Sequence, residues 1–271
     1  MRIGYVMPAY NEEELLGVTI DGCLPLVDRL CIVDDGSRDA TGRIADEYAR
    51  RHAGRIDVIH QANTGIGGAV LAGLRLLLQR DDLDALGIIA SDNQCDPSLI
   101  PAFRHVLETR ADIDVVKGSR MLHPESLAQM PRFRYWGNRG VSALMQLILG
   151  YHHMSDVLHG YLLARVGVFR AMRLDAIAAG YDLENTMMAE FRRMRCHFGL
   201  LPSPSRYQRE RSKIVYRKQI PKTLRKMSDI LRTRLSEGPW SERLAPLLLV
   251  SGNLPAAWLA LVLTSPPVER L

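Results

Sequence analysis

Cysteine is scarce and scattered: Cys23, Cys31, Cys95 and Cys196 form no C-x-x-C pair in 271 residues. That excludes a disulfide frame or a cysteine zinc site and points to reduced thiols in a cytosolic protein. A signal-peptide pattern is missing, since Met1-Arg2-Ile3-Gly4-Tyr5-Val6 runs straight into Pro8 and reads as a strand. There is no internal repeat and no low-complexity linker. The stretch Gly65-Ile66-Gly67-Gly68 lacks both G-x-G-x-x-G spacing and a Gly-Lys-Ser/Thr end, so it is neither a dinucleotide fingerprint nor a Walker loop. Acids nearly vanish from Arg192 to Arg234, where Glu210 and Asp229 are the only carboxylates. Such a basic flank suits a phosphate-rich ligand or an anionic membrane surface. Aromatics do not interleave with this charge, which argues against a nucleic-acid partner.

What is present is an alternation of apolar runs and polar punctuation. With 47% hydrophobic and 24% charged residues and a net charge of +5, the chain can bury one large core, or a core plus an appendage. The sharpest signal is Ile88-Ile89-Ala90-Ser91-Asp92-Asn93-Gln94-Cys95-Asp96-Pro97. Its apolar start is too short for a helix and reads as a buried parallel strand. Pro97 and Ser98 open the next helix. The carboxylates then fall at the carboxyl end of a central strand, where open α/β sheets bind ligands. Asp and Gln oxygens there suit Mg²⁺ or Mn²⁺ beside a diphosphate. A polar loop with Asp96 or Ser98 as a cap is the plainer alternative.

The same unit recurs. Strands are expected over residues 2–7, 31–33, 56–59, 86–90 and 115–116. Between them fall helices. One carries Leu15, Leu16, Val18 and Ile20, with Asn11 as its cap; others end near Arg51, carry Val70 to Leu78, and span residues 97–109. Right-handed crossovers then give an α/β fold: a mostly parallel, doubly wound sheet with helices on both faces. Four polar strand ends gather at one edge: residues 8–12, 34–39, 63–68 and 92–96.

These motifs, in this order, resemble glycosyltransferase family 2 with its GT-A, Rossmann-like fold. Pro8-Ala9-Tyr10-Asn11-Glu12, Val33-Asp34-Asp35-Gly36-Ser37 with Asp39 and Thr41, Asn63 with Gly65 and Gly67-Gly68-Ala69, Asp92 with Gln94 and Asp96-Pro97, and Gly118-Ser119-Arg120 carry the resemblance. It spans roughly residues 3–213 and lies nearest to dolichyl- or polyprenyl-phosphate sugar synthases. It implies a nucleotide-diphosphate sugar as donor. Pro8, Tyr10, Glu12, Asp34 and Asp35 would hold base and ribose, turn formation being the rival role for the two aspartates. Asn63 and Gly67 would let backbone approach the nucleotide, or Gly67 and Gly68 would merely start a tightly packed helix. Asp92 and Gln94 would hold Mg²⁺ or Mn²⁺, and Arg120 would bind the nucleotide sugar. The family's Asp-x-Asp is incomplete, because Ala90 stands at its first position. Losing one anionic ligand weakens metal affinity, although Mg²⁺ keeps several waters and needs few carboxylates. Weak metal binding, metal-independent transfer and inactivity are the three outcomes open to such a site.

In the second half, residues 133–150 read as an amphipathic helix with Leu144, Leu147 and Ile148 on an apolar side. Asp156-Val157-Leu158-His159-Gly160-Tyr161 resembles the family's acceptor-side Asp-x-x-x-Gly-Phe segment. Asp156 is then a candidate catalytic acid or a helix cap, and His159 reads as structural. Tyr181-Asp182-Leu183-Glu184 resembles the acidic pair before a helix, where Glu184 would position the acceptor or sit in the first turn. Arg206, Arg209, Arg211 and Lys213 resemble a basic loop over the diphosphate, with Arg209 and Lys213 as phosphate clamps; a solvated basic surface is the rival.

Residues 214–234 interleave cations with Ile220, Leu224, Met227, Ile230 and Leu231. That spacing fits a basic amphipathic helix for a membrane surface or for packing on the core. Residues 244–264 carry no charge but are broken by Pro246, Gly252-Asn253 and Pro255. They read as two short apolar helices, interfacial, buried or forming a homo-oligomer contact. The expected division is a glycosyltransferase domain, 1–213, and a helical appendage, 214–271. The expected activity is inverting transfer of a hexose from GDP-mannose or a UDP-hexose to a polyprenyl phosphate, by a cytoplasmic protein peripheral to the membrane. A soluble enzyme acting on a hydroxyl of a natural product, polysaccharide or protein is one rival, and an inactive sugar-nucleotide-binding protein another.

Overall fold

The computed structural model describes residues 1–151, 154–204, 216–237 and 267–271. Arg206, Arg209, Arg211, Lys213 and the apolar stretch 244–264 lie outside the described residues. In chain order the elements are β1 (Ile3–Ala9), α1 (Leu16–Cys23), β2 (Arg29–Asp34), α2 (Thr41–Arg51), β3 (Ile56–His60), α3 (Ile66–Leu77), β4 (Ala85–Ile88), α4 (Ile100–Thr109), β5 (Val115–Ser119), α5 (Pro124–Gln129), α6 (Arg132–Leu149), β6 (Leu162–Arg165), α7 (Val166–Ala171), α8 (Leu183–Arg193), β7 (Phe198–Pro202), α9 (Tyr216–Glu237) and β8 (Val268–Arg270).

The strands form one sheet in the order β3-β2-β1-β4-β6-β5-β7-β8. All neighbours run parallel except β6, which is antiparallel to both β4 and β5. The expected mostly parallel α/β sheet is therefore present. The alternation of strand side chains divides the core in two. Val6, Val33, Ile88 and Val115 face α3, α8 and α9, while Tyr5, Ile32 and Val116 face α1 and α4. Both faces are covered, so the central strands read as near-continuous apolar runs.

Two local expectations are corrected. Asn11 does not cap α1. It sits at φ +53°, and its side-chain oxygen accepts from the Arg38 N–H at 2.8 Å. The chain instead turns at Glu12, whose carbonyl accepts from Leu15 and Leu16. Loop 11–13 is thereby laced to the loop after β2: the Glu12 N–H donates to Thr41 at 2.8 Å and Glu13 accepts from the Ala40 N–H at 2.8 Å. The second correction concerns α6. Leu144 and Leu147 are exposed, whereas Met145, Ile148 and Leu149 are buried, so of the three expected residues only Ile148 belongs to the buried side.

α9 settles between the alternatives for its described part. Met227 and Ile230 are buried in the main core with Leu231 packed against it, and Thr223 donates to Asp182 at 2.8 Å. Its apolar stripe packs on the core, while Leu224 stays exposed. β8 joins the sheet beside β7, with Val268 opposite Phe198. Among the described residues no helix is long and apolar enough to cross a membrane. All four cysteines are buried and unpaired, and burial pushes each thiol up to about 12.

Gly73 sets how closely α3 approaches the sheet. A Cβ there would lie 2.4 Å from Val6 Cγ1 and 3.2 Å from Val33 Cγ2. Gly73→Ala gains about 1 kcal/mol of helix propensity but overpacks a dense interface, at about 1–3 kcal/mol. Net destabilisation is expected, read as a lower urea midpoint. An unchanged or higher midpoint would mean that α3 can move outward at no cost.

Candidate functional site

The polar ends of β1, β2 and β4, together with β5 and α8, enclose a cavity of about 640 Å³. Parallel strands bring their carboxyl ends to one edge, which is why residues far apart in sequence meet here. Of the residues singled out above, Pro8, Tyr10, Glu12, Asp35, Asn63, Asp92, Gln94, Arg120 and Glu184 line it.

At the β1–β2 end, Asp35 is only 3% exposed. Its carboxylate accepts from the Thr64 and Gly65 N–H groups at 2.9 and 2.8 Å and from the Gln61 amide at 2.7 Å. It therefore clamps the loop that carries Asn63. Gly65 holds φ +86°, which a side chain would strain. Asp34 does not reach the cavity. It accepts from the Ser37 N–H and pairs with His60 Nδ1, both at 3.0 Å. Burial opposes its ionisation, but the bonds from Ser37 and His60 prevail and hold its carboxyl below the usual range. Of its two expected roles, the structure gives it the turn. Gly67 is also absent from the wall. A Cβ there would lie 2.0 Å from the Ala178 carbonyl oxygen, and the Gly68 N–H donates to Ala179. Of the two expected roles, these glycines take that of a tightly packed helix start, against residues 178–179 and Thr64.

Beyond β4, Ala90, Asp92 and Gln94 all line the cavity. Asp92 accepts from the Gln94 N–H at 3.0 Å, and Asn93 takes the left-handed turn at φ +55°. Among the described residues no group of three or more His, Cys, Asp or Glu could hold a metal. Asp92 and Gln94, both carrying hard oxygens, nevertheless border the same wall. They fit a Mg²⁺ or Mn²⁺ ion whose remaining ligands are diphosphate and water.

The inner end is built on a buried ion pair. Arg120 is 5% and Asp156 0% exposed. Nε and Nη2 of Arg120 donate to the two carboxylate oxygens at 2.7 and 2.9 Å, and the Arg120 N–H adds a third bond at 3.2 Å. Burial would raise the Asp156 carboxyl, but the guanidinium holds it far below the carboxylate range. Both oxygens are committed, and Asp156 is not part of the cavity wall. This corrects its expected role as a catalytic acid: it orients Arg120. Glu184 does face the cavity, and burial raises its carboxyl.

Lys117 is the residue that the motif reading missed. It is 1% exposed and lines the same inner end with Arg134, His159 and Gly160. Burial lowers its ammonium to about 8, against the pull of Asp156 and Glu184. A cation set directly between an apolar Val115-Val116 pair and Gly118-Ser119-Arg120 was the available signal.

The chain matches the family described as Glycosyl transferase family 2 over residues 5–179. It is 33% identical over 192 residues to undecaprenyl-phosphate mannosyltransferase of Micrococcus luteus, a match covering 69% of this chain and 76% of that enzyme. It is 29% identical over 182 residues to polyprenol monophosphomannose synthase of Mycolicibacterium smegmatis, covering 65% and 66%. Among solved structures it superposes with TM-score 0.62 on glucosyl-3-phosphoglycerate synthase from Mycobacterium tuberculosis in complex with UDP, at 22% identity, covering 86% of this chain and 79% of that one. A complex of the latter with Mn²⁺, UDP and glucosyl-3-phosphoglycerate gives 0.61. At that identity the likeness establishes the fold, which is the expected GT-A type.

Asp156→Ala leaves Arg120 buried without its counter-charge, so a loss of about 3–5 kcal/mol is expected in urea unfolding at pH 7. Because the folded carboxyl is depressed, its contribution is present above the unfolded pKa near 3.9 and is lost as pH falls toward the folded value. The gap between wild type and variant should hold from pH 7 to pH 5 and narrow below about pH 4. A gap that instead narrows between pH 7 and pH 5 would contradict the pairing.

Proposed function

The chain belongs to glycosyl transferase family 2, and from that premise we propose that it moves a hexose from a nucleotide-diphosphate sugar, GDP-mannose or a UDP-hexose, to a polyprenyl phosphate. The observation that carries this reading is the change of charge along the cavity. Acids and amides (Glu12, Asp35, Asn63, Asp92) follow β1, β2, β3 and β4, and Lys117, Arg120 and Arg134, with Glu184 as the acid beside Lys117, line the rest. The first end suits ribose hydroxyls, base N–H groups and a diphosphate accompanied by a divalent ion. The second suits an anionic acceptor. The two relatives above carry undecaprenyl phosphate and polyprenol phosphate in their names, which favours the same acceptor class.

In this reading Tyr10 and Pro8 pack on the base, Glu12 and Asp35 take hydroxyls, and Asn63 lies beside the nucleotide. Asp92 and Gln94 would hold Mg²⁺ or Mn²⁺, which would neutralise diphosphate charge. Arg209 and Lys213 are proposed to reach the same diphosphate from the basic loop. The acceptor oxygen attacks the anomeric carbon from the face opposite the diphosphate. The new C–O bond forms as the old one breaks, its electron pair leaves with the nucleoside diphosphate, and the anomeric centre inverts. A phosphate acceptor is ionised near pH 7, its second pKa being about 6, so no strong base is required. Glu184, which lines the cavity, takes a sugar or acceptor hydroxyl on its carboxyl in this reading. That same carboxyl favours one second reading, a hydroxyl acceptor with Glu184 as general base. With a lipid acceptor the protein would work on the cytoplasmic face of a membrane, peripherally.

The test is transfer from each radiolabelled nucleotide sugar to farnesyl phosphate or to farnesol, with Mg²⁺ or Mn²⁺. Turnover with the phosphate alone is expected. Transfer only to hydroxyl acceptors would establish the second reading, and donor binding without any turnover would make this a sugar-nucleotide-binding protein. Asp92→Ala is expected to lower turnover by at least about 100-fold, a loss typical of removed electrostatic stabilisation, with the melting temperature unchanged. Ala90→Asp should tighten Mn²⁺ binding by adding a charged oxygen ligand. Unaltered metal titration of that variant would mean that position 90 does not face the ion.

A further inference from the structure

The inner end of the cavity holds a charge that its surroundings do not neutralise. Lys117 sits mid-sheet, opposite Leu162 of β6 and Leu200 of β7. Alternation along β5 puts it on the Val115 face, which α8 covers with Met187, Met188 and Phe191. Among the described residues its ammonium makes no hydrogen bond or ion pair. The carboxylate of Asp156 is spent on Arg120. Glu184, the other acid that bears on Lys117, makes no ion pair with it. An ammonium taken out of water against apolar walls is strongly unfavourable unless something supplies the counter-charge.

The arrangement gives the location of that counter-charge. Arg120 and Asp156 cancel each other, and Lys117 and Arg134 share this end of the cavity with the Glu184 carboxyl. In the strand order β1-β4-β6-β5, Lys117 lies two strands beyond β4, whose end carries Asp92. That is roughly 10 Å at the usual strand spacing. The lysine and the strand that leads to Asp92 are thus distinct, although Cys95 lies within reach of both charges. A lysine acts as a compact point charge for phosphate, whereas Arg120, already held in a fork, is directional.

We propose that Lys117 receives the phosphate of the acceptor at the inner end of the cavity, and so sets the preference for a phosphorylated acceptor over a hydroxyl one. The assignment rests on the lipid-phosphate reading above. A bound phosphate supplies the missing counter-ion and keeps the ammonium charged. Burial, against the pull of Asp156, Glu184 and the Cys95 thiol and with the push of Arg120, leaves the free ammonium titrating at about 8, and Arg134 and His159 line the same end. Acceptor affinity should therefore fall as pH rises past that value, because the ligand-binding form is the protonated one.

The experiment is calorimetric titration of the full chain and of its Lys117→Met variant with farnesyl phosphate, inorganic phosphate, UDP and GDP. Methionine keeps the length of the side chain without its charge, and Lys117→Gln serves if it folds poorly. Affinity for farnesyl phosphate is expected to fall about tenfold to a hundredfold, the range for a lost charged hydrogen bond. UDP and GDP affinities should stay within about twofold, since their groups bind at the other end. The variant should melt at or above the wild-type temperature, because an unpaired buried charge is gone. Equal farnesyl phosphate affinity in both proteins overturns the assignment and leaves the lipid-phosphate reading standing. Loss of UDP or GDP affinity with farnesyl phosphate binding intact places Lys117 on the donor and also overturns it. A wild type that binds UDP or GDP but neither phosphate probe overturns the acceptor reading and this assignment with it.

Discussion

The Arg120–Asp156 pair is the interaction on which the inner half of the molecule rests. It ties the end of β5 to the segment that leads into β6, and β6 is the strand that runs against the others between β4 and β5. Neighbouring bonds extend the tie: Ser119 to Ser155 at 2.6 Å, the Gly118 N–H to the Tyr161 carbonyl, and the Val157 N–H to Ser142 at 3.2 Å. Replacing such a pair with apolar groups can be neutral, but removing one member is not. The pair is thus less a source of stability than a constraint on where residues 155–161 must lie. Because it is internally neutral, it leaves the charge of Lys117 to the cavity.

Aspartates do two kinds of work along this edge. Asp34 and Asp156 are consumed by the protein's own donors, one shaping a turn and the other orienting a guanidinium. Asp35 is intermediate, clamping the loop at 61–65 while still bordering the cavity. Asp92 stands at the wall between Ala90 and Gln94. Each clamp replaces a loop's backbone hydrogen bonds to water with bonds to a carboxylate, which are shorter and stronger than neutral ones. The result is a binding edge made of loops yet held like part of the sheet.

The first half of this architecture was legible because it is periodic. Apolar runs ending in Asp, Asn or Pro place β1 to β5 within a few residues, and the four polar ends do meet. β6, β7 and β8 were not legible. At four and five residues β6 and β7 are no shorter than β4 and β5, but they lack the regular strand-helix rhythm of the first half, and long-range pairing gives them their conformation. The misreadings share a cause. Asn11 has the chemistry of a cap, but its oxygen finds a partner 27 positions away. Asp156 has the chemistry of an acid, but its partner is 36 positions away. Local sequence reports what a side chain can do, whereas its nearest neighbour in space decides what it does. Lys117 was overlooked for the converse reason, since a lone cation beside a short apolar run reads as the end of the strand rather than its inward face.

The buried thiols carry a consequence for how the molecule meets its chemical surroundings. A thiol held at about 12 is ionised to only about one part in 100,000 at pH 7, and thiolate is the species that alkylates, oxidises and exchanges. None of the four contributes a crosslink to the fold. Burial and a scarcity of thiolate therefore slow alkylation and oxidation of these side chains in the native state. Cysteine usage, which in many proteins records the compartment of origin, here records only the packing of a core.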